Sequence, residues 1–132
     1  MAFNRSQQIA MANRVGILTV DQTQLLTINV LGNPVAQIAG IRVLDIATGI
    51  WYSVYPEGQP AYCTPGISNL VISYGVNNVG ALDGVLYGKI INSNGQTIHS
   101  DSAYVPVGEM AYWEPIFDMT AQNMNLTIEV GH

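Results

Sequence analysis

His99-Ser100-Asp101-Ser102 places every residue type of a hydrolytic triad within four positions. A triad works only where a nucleophile, a base and an orienting carboxylate converge beside an oxyanion hole. Along an extended chain side chains alternate faces, so His99 and Asp101 share one side while Ser100 and Ser102 share the other. No Gly-x-Ser-x-Gly elbow exists to expose another serine. The pattern predicts a surface histidine beside an aspartate, not a nucleophile. The same pair offers two metal ligands from one face, and two ligands do not make a site.

Three carboxylates, Glu109, Glu114 and Asp118, fall close together in the sequence. A glycosidase needs two carboxyl groups facing each other across a cleft. Glu114 and Asp118 are nominally on one strand face, but Pro115 disturbs their register, so turn and edge solvation is the expected role. The stretch Asn77–Gly84 carries oxygen ligands that suit calcium, yet offers one carboxylate, Asp83, and lacks EF-hand spacing. Cys63 is the single cysteine, which rules out an intrachain disulfide and predicts an inert small hydrophobe. No catalytic residue, metal or cofactor is expected. Trp51 and Trp113 can fill the space between two sheets, or one of them can form an aromatic platform on which a sugar ring stacks.

The elements that position these residues repeat with period two. Leu26, Ile28 and Val30 alternate with Leu25, Thr27 and Asn29, and the run closes at Gly32-Asn33-Pro34. Further strands are predicted over 41–46, 50–55, 69–76, 85–91, a return beginning at Gln96, 111–117 with Pro115 inside it, and 124–130. Asn94-Gly95 is a hairpin signal, and Val107-Gly108-Glu109 reads as a turn. Proline removes a ladder donor, so the strand holding Pro115 belongs at an edge or carries a bulge. Seven to nine short strands with turn chemistry between them describe an all-β, antiparallel β-sandwich. It is assigned to residues 14–132. Residues 1–13 have no clear period and are read as an N-terminal arm, with Phe3, Ile9 and Met11 as candidate contacts to a neighbouring subunit.

Composition points the same way. Of 132 residues, 48% are hydrophobic, while four are basic and nine acidic. Four cations cannot form the electropositive footprint that nucleic acid requires. Eleven Asn and eight Gln outnumber the charges, and the mean hydropathy is +0.23. A surface this thin in charge has little repulsion to keep copies apart, which favours a subunit that buries its exterior against neighbours. The uncharged stretches 22–41 and 58–82 are broken by Gly, Pro, Asn and Gln, so no membrane-spanning helix is expected. The residues around Arg5 lack the apolar run of a secretory signal, and synthesis in the cytosol is expected.

From Leu70 onward the order of features resembles a known family. Val76-Asn77-Asn78-Val79-Gly80 fits a "V-x-N-x-G" strand end, Asn94-Gly95 an "x-N-G" hairpin, and Pro106-Val107-Gly108-Glu109 a "P-x-G-E" turn. This succession resembles immunoglobulin-like modules of the CARDB and fibronectin-III-like kind in archaeal, bacterial and viral surface proteins. It covers about half the chain and consists mainly of turn grammar. The resemblance implies an immunoglobulin-like sandwich acting as a spacer, adhesive unit or assembly subunit. The expected function is therefore structural and non-catalytic: a virion subunit (coat, turret or decoration) whose partners are copies of itself or other coat proteins. The alternative is a soluble module that binds carbohydrate or another ligand. An extracellular surface protein or filament subunit is the alternative location.

Overall fold

The computed structural model describes residues 18–26, 28 and 32–132. Among them, eight strands form two antiparallel sheets, and there is no helix. The larger sheet contains β1 (Ala36–Asp45), β2 (Ile50–Tyr55), β3 (Gly66–Asn78), β6 (Met110–Trp113) and β7 (Ile116–Met119). Its order is β2-β1-β3, with β6 and β7 both on the far side of β3. The smaller sheet is β5 (Thr97–Val105), β4 (Gly84–Ile91) and β8 (Thr127–Gly131), in that order. This is the all-β sandwich that the period-two pattern predicts.

The core lies where three strands cover the middle of five. Leu70, Ile72, Tyr74 and Val76 of β3 face inward, as their alternation predicts, against Leu86 and Ile90 of β4 and Val105 of β5. The largest of these, Tyr74, fits only because β4 has no side chain at position 88. A Cβ on Gly88 would stand 2.5 Å from the Tyr74 ring. The opposite face of β3 is also buried at Asn69, Val71 and Ser73. A central strand with neighbours on both edges keeps little exposure on either face, so alternation here marks direction rather than solvent.

Pro115 acts as expected. β6 and β7 form one edge line beside β3, interrupted at Glu114-Pro115. The register continues across the break, with Tyr74 opposite Trp113 and Val71 opposite Ile116. Proline has no N–H to give, but its carbonyl accepts from the Ile72 N–H at 3.1 Å. The Asn94-Gly95 signal is also a real turn. Gly95 takes φ +79°, and the Asn92 side chain accepts from the Asn94 and Gln96 N–H groups at 3.0 Å each.

Two expectations differ. Residues 18–26 and 28 form no strand, and residues 27 and 29–31 lie outside the described residues. Alternation defines an apolar face, but a strand also needs an edge to pair with. The last strand starts at Thr127, so Met124 and Leu126 belong to the preceding loop. Phe3, Ile9 and Met11, with the whole of the 1–13 arm, lie outside the described residues.

Candidate functional site

Three strands cannot cover five. β8 is an edge of the smaller sheet and lies over β1, so among the described residues no strand opposes the inner face of β2. The result is an open cleft of about 860 Å³. Ile41, Val43, Tyr52 and Val54 floor it, while Met124, Leu126 and Ile128 form the opposite wall. Apolar side chains thus line most of a space that water can enter, an arrangement that favours an occupant.

One end of the cleft is polar and rigid. The Asp45 carboxylate is buried there and accepts from Asn69 Nδ2 at 2.6 Å, the Thr48 hydroxyl at 2.8 Å and the Thr64 hydroxyl at 2.9 Å. Asn69 completes the knot by accepting from the Ala47 N–H at 2.8 Å. Burial on its own would raise the Asp45 pKa, but these hydrogen bonds outweigh it and hold the carboxyl below its ordinary value. The knot ties the β1–β2 turn to the start of β3. Cys63 lines the same end. Burial pushes its thiol pKa up, and the Asp45 charge adds to that. A raised thiol is the reverse of an activated nucleophile.

A second concavity lies on the outer face of the larger sheet, with a volume of about 430 Å³. Strand register arranges this face in rows. Trp51, Leu44, Val71 and Ile116 make an apolar row. Beside it runs a polar one, Ser53, Arg42 and Ser73, where the Ser73 hydroxyl donates to Glu114 at 3.1 Å. Next, Gly40 and Gly75 lie opposite each other as a bare floor, with Tyr55 and Tyr112 in the walls. Arg42 sits 4.8 Å from the centre of the Trp51 ring. The two tryptophans are therefore separated. Trp51 is 39% exposed on this outer face, whereas Trp113 packs on the core with its ring 5.4 Å from Tyr74.

The remaining candidates are engaged in structure. His99 Nε2 contacts Asp101, as their shared face predicts, and Ser100 and Ser102 are exposed on the other side. Asp101 also accepts from the Tyr74 hydroxyl at 3.4 Å, and the His99 ring meets Phe117 edge-on. Burial first, then the Asp101 charge, drive the Tyr74 pKa upward. Asp118 accepts from the Ser68 N–H at 2.7 Å and Glu114 from Ser73, so each carboxylate serves a local partner. In the 77–84 loop, Asp83 accepts from the Val107 N–H at 2.8 Å. Asn78 gives its amide to Leu82 O and Val105 O, each at 2.9 Å. Oxygens that suited calcium by type are directed at the chain itself.

Sequence reasoning missed the cleft because an uncovered strand is a property of strand order. Trp51 marked the outer face, but the groove itself lies beyond Arg42. Comparison with family models, with curated proteins and with solved structures gave no match.

Proposed function

We propose that this chain is a non-catalytic structural subunit, an immunoglobulin-like block that assembles with copies of itself or with other coat proteins in a virion. One observation carries the reading: the sandwich is apolar inside and open along β2 and β8. An open apolar cleft beside an unpaired strand edge is unfavourable for an isolated subunit and becomes favourable when a neighbour covers it. The sparse charge and abundant amides support the same reading, since surfaces of this kind associate readily. An extracellular filament would use the same physics.

Light scattering coupled to size-exclusion chromatography, over about a hundredfold range of concentration, tests it. The expected mass rises above the 14.2 kDa of one chain as concentration increases. A constant single-chain mass refutes self-assembly. In that event a binding experiment with other coat proteins decides whether a different partner supplies the contact.

The outer groove supports a second reading, a module that binds carbohydrate. Tyr55 and Tyr112 offer ring faces there, while Arg42, Ser73 and Glu114 offer hydrogen bonds beside them, and Trp51 backs Arg42 from the neighbouring row. Aromatic faces with convergent polar groups suit a sugar ring.

A further inference from the structure

We infer that the cleft is an acceptor for a β-strand, and that the strand comes from the residues preceding β1 in a second copy of this chain. The inference rests on the assembly reading and specifies its contact. Its two halves are both present in one molecule.

The acceptor half is the β8 edge with the cleft beside it. Val43, Val54, Leu126 and Ile128 line a slot bounded by an edge whose outer N–H and C=O groups have no neighbouring strand among the described residues. Main-chain pairing to an edge, with alternate side chains entering pockets, is the way strands add to sheets. The donor half is the segment ahead of Gly32. Leu18, Val20, Leu26 and Ile28 all occupy even positions, so an extended chain presents them on one side as two apolar pairs separated by Gln22 and Gln24. In the single chain they are uncovered: Leu26 is 77% and Ile28 84% exposed. An apolar strand face without a sheet and an apolar slot without a strand are complementary.

Direction favours a second copy over the same chain. Residues just before β1 are fixed to the β3–β4 turn, where Asn33 and Val35 accept from the Ala81 and Val79 N–H groups at 3.0 and 2.9 Å. β8 runs toward that same end, since it is antiparallel to β4 and β4 starts there, with Gly84 against Pro34. A segment leading into Gly32 along its own β8 would therefore run parallel to it. Every other pairing in the sandwich is antiparallel. A strand from another copy has no such tether and can take the antiparallel direction, which is somewhat more stable per residue.

The experiment compares the full-length chain with the double variant Leu26→Asp/Ile28→Asp and with Leu25→Asp. Light scattering reads mass, and the alkylation rate of Cys63, which lines the cleft, reads occupancy. All three substituted side chains are exposed, so far-UV circular dichroism should show an unchanged β signature. The expected result is a wild-type assembly in which Cys63 reacts about tenfold or more slowly than in the double variant, the slot opening only as the strand leaves. The double variant should be a monomer of single-chain mass. Leu25→Asp, on the opposite strand face, should behave as wild type. If the double variant assembles equally with Cys63 equally reactive, strand donation is overturned while assembly stands. A wild-type monomer with protected Cys63 means the segment fills its own cleft, which overturns exchange between copies. A wild-type monomer with reactive Cys63 overturns both.

Discussion

Asn78 is where three parts of the chain are held together, and replacing it measures what that junction contributes. Its side chain is buried at the end of β3 and uses all of its hydrogen-bonding capacity. Nδ2 donates to Leu82 O and Val105 O at 2.9 Å, while Oδ1 accepts from the Gly80 N–H at 3.0 Å and the Val35 N–H at 3.3 Å. The β3–β4 turn, the end of β5 and the entry to β1 therefore meet on one amide. Asn78→Ala removes all four bonds. Val105 is almost fully buried, so leaving its carbonyl short of a donor costs about 1–3 kcal/mol. Water can reach the other three groups, whose bonds are each worth about 0.5–1 kcal/mol net. The expected loss is about 2.5–6 kcal/mol, or roughly 10–25 °C in melting temperature for a domain of this size. Urea unfolding followed by circular dichroism should show the midpoint fall with the slope unchanged. Asn78→Asp keeps both acceptor contacts but turns a carboxylate toward two carbonyls, so it should be no more stable than the alanine variant at neutral pH. A loss below about 1 kcal/mol for Asn78→Ala would refute the clasp, because one buried carbonyl alone should exceed it.

The Asp45 carboxyl is held below its ordinary pKa, so its contribution is full above the unfolded value of about 4 and is lost as pH falls through the folded value. Acid titration should show that loss in wild type, and Asp45→Asn should be less stable at pH 7 with a flatter acid limb; parallel acid limbs would contradict the account. Tyr74 is shifted the other way, so stability should fall as pH rises past about 10, and Tyr74→Phe should make that alkaline slope shallower, Tyr104 being raised as well. Gly88→Ala puts a methyl group into the Tyr74 ring, and thermal unfolding should register a loss of about 1–3 kcal/mol. For the outer groove, calorimetric titration with neutral oligosaccharides should show binding, with Tyr112→Ala weakening it by about tenfold; no heat of binding throughout the titration would sink the sugar reading.

Period-two alternation was enough to place most strands, because sandwich strands have one face toward a core and sequence records that face directly. Ile50–Tyr55 was legible to the residue, and Asn94-Gly95 announced its hairpin through a backbone conformation that few residues adopt. Pro115 was legible for a negative reason, the missing donor. Asp45 and Asn69 gave no such signal. Each is an ordinary polar residue until β1 and β3 pair and bring Asp45 opposite Leu70, one residue from Asn69. Their knot arises from register between strands far apart in sequence, and a single strand does not encode its register with another.

The segment around Leu26 carries the sharper lesson. Leu26 and Ile28 alternate with Thr27 as strand residues do, yet among the described residues this segment forms no strand. Pattern and outcome conflict only if the sheet must belong to the same molecule. β3 has neighbours on both edges within its own chain, which is why even its polar face is buried. The residues from Leu18 to Ile28 have the face of a strand, and β8 has the edge of one. Sequences in which local pattern agrees with the final structure are the ones that fold to a single state. By that criterion the described residues leave one pattern unused and one edge of the smaller sheet without a further strand, and the proposed second copy would meet both at once. The disagreement between sequence and fold is therefore what the proposed strand exchange has to account for, and the Leu26→Asp/Ile28→Asp comparison tests whether it does.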